Sequence, residues 1–437
     1  MNKRWIYLLL PGVVLLSGCL TTLCVAADQT TAAKKWSLEE CINTALRNQG
    51  AVLTSEQTVF SSKAALTQAK GDYYPTITLQ SMPLSLSGGR GAYGGGSGGT
   101  TTNGTSVSVT QNIYDSGLRE MNVKAKQYGV KSSEDTLQRQ RQTTENNVIS
   151  AFYNAWLAMR KADLQDTTVK DLVGQLDMIN TRVQVGDAAV VDAYPVEASL
   201  ANAKVAQLSA KNTIQTQLVA LQDAMGLQPG GDFDIQEVSA PKQELLDPLD
   251  KYLGIALKSR PDFQAFAAQI IAAKAEEQAA KINIWPHVSV NGAYDQRIDN
   301  SSQNAWSITG GLVYTVFDGH ILHAEYQQTQ AAVKSAQIAA VQLAKDIASQ
   351  VEQAYLNLSS AQQNLGATAV GLTASQKNYE AQQGRYKEGL ATPQDLLDAE
   401  VQVATATNNQ WQAQYNYYTA KAALEYATGK QGGLNGK

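Results

Sequence analysis

Arg385-Tyr-Lys-Glu-Gly389-Leu-Ala-Thr-Pro-Gln-Asp395 is the second writing of a pattern first met as Arg182-Val-Gln-Val-Gly186-Asp-Ala-Ala-Val-Val-Asp192. The two stand 203 positions apart, and other pairs keep that spacing: Glu197 with Glu400, Gln207 with Gln410, Gly226 with Gly429. Ile113-Tyr114-Asp115 likewise meets Val316-Phe317-Asp318. Upstream the spacing becomes 211, where Ala45-Leu46 meets Ala256-Leu257, Lys63-Ala64 meets Lys274-Ala275, and Pro75 meets Pro286. The first copy therefore carries extra residues between Pro75 and Tyr114, an interval that contains the Gly-, Ser- and Thr-rich run Gly88 to Gly104. A fixed internal period means one structural unit written twice. The copies span residues 36–227 and 249–429, joined by a Pro-containing linker at 228–248 and followed by a short tail at 430–437.

Each copy reads helix, two strands, long helix, turn, helix. The first helix opens on Ser37-Leu38-Glu39-Glu40, the spacing of a capping box. Pro75 and Pro286 stop the first helix of each copy. Alternation follows, giving strands at about 75–86 and 105–114, then 286–296 and 305–317. Trp306, Ile308, Leu312, Tyr314 and Val316 share one face, opposite Ser307, Thr309, Gly311, Val313 and Thr315. Val288, Val290 and Tyr294 share a face of the preceding strand, and Ile77, Leu79, Val107, Val109 and Ile113 supply the counterpart in copy one. Strands of about ten residues with one apolar and one polar face have the pattern of a transmembrane barrel. Trp306 and Tyr294 suit an interfacial aromatic girdle or ordinary packing.

The later helices keep a heptad. Ile347, Val351, Ala354, Leu358, Ala361 and Leu365 are spaced alternately four and three, and Val148, Ala151, Ala155, Ala158 and Ala162 do the same in copy one. Leu396, Ala399, Val403, Ala406, Gln410 and Ala413 mark the return helix. Alanine at so many seam positions lets helices approach closely with knobs-into-holes packing. The stretch from Gly319 to Gly384 would extend about 100 Å as a helix. A helix of that length builds a rod or a wall, never the inside of one globular core.

Composition narrows the function. Charged residues are only 17% of the 437, and the net charge is −4, so there is no basic patch for nucleic acid. Three His and three Cys leave little material for a metal or thiol site. His320 and His323 stand three apart without a third ligand nearby and read as a surface pair. Gly88 to Gly104 lacks Gly-Lys-Ser or Gly-Lys-Thr and reads as a loop on the outer surface, not a phosphate cradle. With no catalytic constellation and no cofactor signal, the expectation is a protein that is not an enzyme.

Residues 1–27 have the layout of a secretory signal: Lys3 and Arg4, an apolar run from Trp5 to Leu16, then small residues. Leu16-Ser17-Gly18-Cys19 has the form of a lipobox, which makes 1–18 the signal and Cys19 the lipidated first residue. A cut after Ala27 is the alternative. Cys24 and Cys41 could pair in an oxidising compartment or remain as thiols. Beyond this segment no run is apolar enough to span a bilayer as a helix, which leaves a β-barrel open.

Four strands cannot enclose a lumen, and open sheet edges are not tolerated in lipid. Several chains must therefore contribute to one barrel, with helical hairpins projecting from it and polar strand faces lining a wet passage. At this point the sequence resembles the TolC-like outer-membrane factor family. The resemblance rests on the duplicated Arg-x-x-x-Gly turn followed by Asp, the Tyr73-Tyr74-Pro75 and Ile284-Trp285-Pro286 junctions, and Tyr114-Asp115 with Phe317-Asp318 at strand ends. It implies a mainly α fold with transmembrane β: a homotrimer whose twelve-stranded barrel in the outer membrane of a Gram-negative bacterium continues as an α-helical tunnel through the periplasm. It further implies a passive exit duct of tripartite efflux or type I secretion, docked to a periplasmic adaptor and an inner-membrane transporter of the RND or ABC type. A lipidated N-terminal Cys is common on the efflux side.

By the same resemblance, Asp395 and Asp398 match the carboxylates that ring the periplasmic constriction, and Asp192 is the copy-one counterpart of Asp395. Tyr386 matches a tip tyrosine that helps to hold the closed state, while Ala391 stands where a basic latch residue is found in the type member. Read from the residues alone, Thr392 and Pro393 could start a helix in which Asp395 is a capping carboxylate. Arg182 and Arg385 suit helix-end carbonyls, and Gly186 and Gly389 suit helix stops at turns that would meet the adaptor. The competing reading is a non-conducting coiled-coil envelope lipoprotein, which has no use for amphipathic barrel strands.

Overall fold

Each repeat begins not with the single helix that the sequence predicts but with one broken in two. In the computed structural model, which describes residues 35–85, 102–186, 189–230, 233–241, 245–297 and 304–430, strand β1 (Lys35–Trp36) leads into α1 (Leu38–Asn48) and α2 (Gly50–Gly71). The Ser37 hydroxyl accepts from the Glu40 amide at 3.2 Å, and the Glu40 carboxylate accepts from the Ser37 amide at 3.0 Å. Copy two repeats the arrangement as α5 (Leu249–Ser259) and α6 (Pro261–Ile282). The breaks fall at Gln49 and Arg260, 211 positions apart and nearly identical in backbone, with φ −67° in both and ψ 122° and 121°. In copy two, Pro261 pushes the residue before it into the extended region. In copy one there is no proline, and the Gln49 side chain holds the break by accepting from the Gly50 amide at 2.9 Å.

Strands β2 (Thr76–Ser85), β3 (Thr102–Tyr114), β5 (His287–Arg297) and β6 (Asn304–Val313) form one antiparallel sheet in the order β2-β3-β5-β6. Its register separates most of the apolar side chains from most of the polar ones. Ile77, Leu79, Val107, Val109, Val288, Val290, Tyr294, Trp306, Ile308 and Leu312 fall on one face, with Tyr294 directly opposite Trp306. Thr76, Thr78, Ser106, Ser108, Thr110, Ser289, Asn291, Ser307 and Thr309 fall on the other. Three expectations are corrected here. A bulge between Asn112 and Tyr114 places Tyr114, not Ile113, opposite Val288 on the apolar face. Strand β6 ends at Val313 and leaves Tyr314 and Val316 outside the ladder, because its partner His287 is preceded by Pro286, which has no N–H to give. Strand β3 also begins at Thr102, inside the stretch read as loop, and residues 86–101 lie outside the described ones.

Helices α3 (Leu118–Gln184) and α7 (Ile321–Lys387) have 67 residues each, about 100 Å at the α-helical rise. Asp115 and Asp318 start them, accepting from Gly117 and Arg119 amides and from His320 and Leu322 amides respectively. They return through α4 (Tyr194–Ala224) and α8 (Pro393–Thr428). The heptad seam is buried at Ile347, Val351, Ala354, Leu358, Ala361 and Leu365, meeting Ala413, Tyr417 and Leu424 of α8. Around Val148, Phe152 and Trp156 a broader core gathers Cys41 and Ala45 of α1 with Leu218 and Leu221 of α4.

Segment 228–248 is more than a tether. Within it β4 (Asp234–Ile235) pairs in parallel with β1, and Lys35 lies 3.5 Å from the Asp234 carboxylate. Ile235 is buried in the first core, Glu237 pairs with Arg160, and the Ser239 carbonyl accepts from the Tyr418 hydroxyl. The segment straps α3 to α8.

Candidate functional site

The ends of the two helical hairpins carry nearly all the candidate residues. Gly186 and Gly389 sit just past α3 and α7 with φ of +81° and +72°, the left-handed conformation that ends a helix at little cost in glycine. The Gly389 amide donates to the Tyr386 carbonyl at 3.1 Å and the Leu390 amide to the Arg385 carbonyl at 2.8 Å. Pro393 is the first residue of α8, where its missing N–H costs nothing.

Asp395 completes a capping box. Its carboxylate accepts from the Thr392 amide at 2.8 Å and hydroxyl at 2.7 Å, while its own amide donates to the Thr392 hydroxyl at 3.2 Å. The Thr392 hydroxyl and amide, with Arg385 nearby, hold the Asp395 carboxyl below the usual carboxylate range. Asp192 does half of this in copy one, accepting from the Ala189 amide at 3.1 Å at the entry to α4. Asp398 has no capping role: it is exposed one turn on, and only the Gln394 amide reaches it, at 2.8 Å.

The two matched arginines do different work. Arg182 crosses from one hairpin to the other, its guanidinium 4.9 Å from the centre of the Tyr386 ring and 3.5 Å from the Tyr386 carbonyl. Tyr386 is buried beneath it. Arg385 stays within its own turn, donating to the Leu390 carbonyl at 3.4 Å. Cys19 lies outside the described residues, as do Gly88 to Thr101. His320 is the residue before α7, with φ +70°, and His323 bonds Gln327 at 3.1 Å. Among the described residues no group of three or more His, Cys, Asp or Glu could hold a metal ion.

Sequence reasoning missed Glu400. In sequence it stands out only as the counterpart of Glu197, yet it is 8% exposed while Glu197 is exposed. It lies on the side of α8 that faces α3, where the Gln175 amide donates to its Oε2. Burial, opposed by the Gln175 bond and reinforced by the charge of Asp171, pushes its pKa up to about 7.

A four-stranded sheet with one mainly apolar face, edges at β2 and β6, and two helical hairpins running away from it whose long arms, α3 and α7, each reach about 100 Å defines one subunit of an outer-membrane channel with a helical tunnel. No helix among the described residues is long and apolar enough to cross a membrane. The model of the outer membrane efflux protein family matches residues 41–227 and 252–430, the two repeats, and the chain belongs to that family. Outer membrane efflux protein BepC of Brucella suis is 22% identical over 433 residues, covering 97% of this chain and 90% of BepC. TolC of Escherichia coli is 21% identical over 382 residues, covering 83% and 76%. The crystal structure of CusC superimposes with a TM-score of 0.78 at 16% identity, over 93% of this chain and 96% of CusC. The chain is thus a channel subunit of a tripartite efflux or secretion system in the outer membrane of a Gram-negative bacterium, with its helical tunnel in the periplasm. Channels of this kind are homotrimers that work with a periplasmic adaptor and an inner-membrane transporter.

Proposed function

We propose that this channel is a passive exit duct whose conductance is set at the hairpin tips, where Asp395 and Asp398 of three chains face one axis. The observation that carries the reading is the exposure of both carboxylates beside the α7–α8 turn, Asp395 being held ionised by Thr392. Six carboxylates around a narrow axis favour cations, oppose anions and repel one another, which biases the tip towards dilation. Arg182 on Tyr386 opposes that bias by tying the α7 end to α3. Gly186 and Gly389 end exposed turns that offer the docking surface for the adaptor. The transporter is of the RND or ABC class, and the duct itself performs no chemistry.

Block of single-channel current by a trivalent complex cation on the tip side tests this. Replacing Asp395 and Asp398 together with Ala should weaken block by at least about tenfold, since two charges per chain are removed. Unchanged block places the constriction elsewhere. An N-terminal lipid on Cys19 would give the trimer three further membrane attachments. Mass spectrometry of the mature N-terminus tests this, and an unmodified chain starting at Asp28 would refute it.

A further inference from the structure

Towards the tip, beyond the bonds of Arg139 and Thr143 to Tyr426, three polar contacts tie the α7/α8 hairpin to α3. Lys161 donates to Gln412 at 3.2 Å, Gln175 donates to Glu400, and Arg182 donates to the Tyr386 carbonyl. On α3 they lie about 21 Å and then about 10 Å apart, descending to the tip. The outer two rungs pair a permanent cation with a neutral acceptor. The middle rung is different in kind, because a carboxyl sits there with no cation against it.

The surroundings of Glu400 are explicit. Oε2 takes the Gln175 bond, and Oε1 is buried without a hydrogen bond. From α3 the nearby acid is Asp171, itself raised by burial despite the neighbouring charge of Lys170. From α7 comes Tyr379, raised by burial and then by Glu400 and Asp171. On α8, Asp398 lines the same groove, and Lys161 of α3 lines it farther up. From α4 the groove receives only Ser199, Asn202, Ser209, Thr213 and alanines. Ionised, Glu400 would face Asp171 across the hairpin junction with one neutral amide to offset it; protonated, it packs without repulsion.

We propose that Glu400 and Gln175 form a proton-dependent latch between the two hairpins, closed while Glu400 is neutral and released when it ionises. The latch rests on the reading of the tips as the gate, and it is a positioning device, since Glu400 is set back from the axis carboxylates. A carboxyl whose pKa is raised on packing supports the packed state fully below its ordinary value of 4.5 and withdraws that support as pH rises through about 7. Ordinary periplasmic pH changes fall on this slope.

The test is open probability of the purified trimer in planar bilayers, titrated on the tip side from about pH 6 to about pH 8. Open probability should rise by about an order of magnitude, following the ionised fraction. Glu400→Gln, neutral at every pH and able to keep the Gln175 bond, should stay at the low level throughout, and Glu400→Asp should restore a pH response. A response that survives unchanged in Glu400→Gln belongs to other groups, such as the three histidines, and overturns the latch. A second arm separates this from the gate itself. In Gln175→Cys/Glu400→Cys, a short reducible cross-linker should hold current low until reductant is added. Cross-linking without effect on current refutes the gate reading, whereas a cross-link that closes the channel beside a pH-responsive Glu400→Gln refutes only the latch.

Discussion

Gly429 lies directly against the backbone of Arg260: a Cβ built on the glycine would stand 2.8 Å from the Arg260 Cα. Gly226, its counterpart, lies the same way on the break of copy one, 2.8 Å from the carbonyl carbon of Asn48. Both glycines end their helices at positive φ, +71° and +70°. The repeat is therefore held by a shared joint in which the end of the return helix is pressed into the kink of the first helix pair. Each kink residue then bonds the helix end above it: Gln49 donates to the Asp223 and Ala224 carbonyls at 3.4 Å, and Arg260 to the Ala427 carbonyl at 3.3 Å.

Gly429→Ala should destabilise the trimer by about 2–4 kcal/mol, from left-handed strain together with overpacking against backbone that cannot yield. Gly389→Ala keeps the strain, at φ +72°, but meets open space, and should cost only about 1–2 kcal/mol. The heat needed to dissociate the trimer on a denaturing gel ranks the two. Equal losses would contradict the joint.

Arg260 is 2% exposed and holds Asp262 through two bonds, at 3.0 and 2.5 Å, while Arg139 approaches the same carboxylate to 3.6 Å. Burial pushes the Asp262 carboxyl up, but Arg260 and Arg139 outweigh it and hold the group below its ordinary value. Its stabilising contribution is thus present above the ordinary carboxylate pKa of 3.8 and lost as pH falls below it. Arg260→Ala should cost about 3–5 kcal/mol at neutral pH by stripping a buried charge of its partner. Copy one has Gln49 and Ala51 at the matching positions, so Arg260→Gln/Asp262→Ala should recover most of that loss in thermal unfolding.

Much of this architecture is written in the sequence because its physics is periodic. The apolar alternation of β5 and β6, the alanine seams and the duplicated turn each repeat at a spacing that one chain displays unaided. What was hidden depends on neighbours. The break at Gln49 lacks a proline and is fixed by side-chain bonds, one to the adjacent Gly50 amide and two to the distant Asp223 and Ala224 carbonyls, whereas its twin at Arg260 is followed by Pro261. Glu400 sits one position after seam residue Ala399 and reads as a solvated charge until α3 covers it. The strap at 228–248 looks like a linker because its strand, Asp234–Ile235, is two residues long. The capping role of Asp395 was legible from Thr392 and Pro393, whereas its place on an axis belongs to the trimer.

The strand register makes adjacent residues opposite in consequence. Ile308 lies on the apolar face and Thr309 on the polar one. Ile308→Lys should cost about 2–4 kcal/mol in barrel stability, as a charge held in hydrocarbon does. Thr309→Lys should assemble normally and shift the reversal potential towards anions. Matching assembly defects in both variants would mean the faces are misassigned.

Thr392 holds Asp395 through both its amide and its hydroxyl. Thr392→Ala should cost about 1 kcal/mol as a lost cap. It should also return the Asp395 pKa towards its ordinary value. Because that pKa is lowered in the native tip, cation block persists to lower pH there, and the midpoint of block should move to higher pH in the variant. Titration of block against pH reads the shift directly, and an unmoved midpoint would separate Asp395 from the conducting path.

The central claim is that three copies of this sheet close around a water-filled lumen that the helices continue. Purified trimer added to a planar bilayer should give discrete, repeatable steps of ion current, reduced by trivalent cations on the tip side. Inserted, folded trimer that passes no ion current would contradict the account and favour a scaffold without a pore.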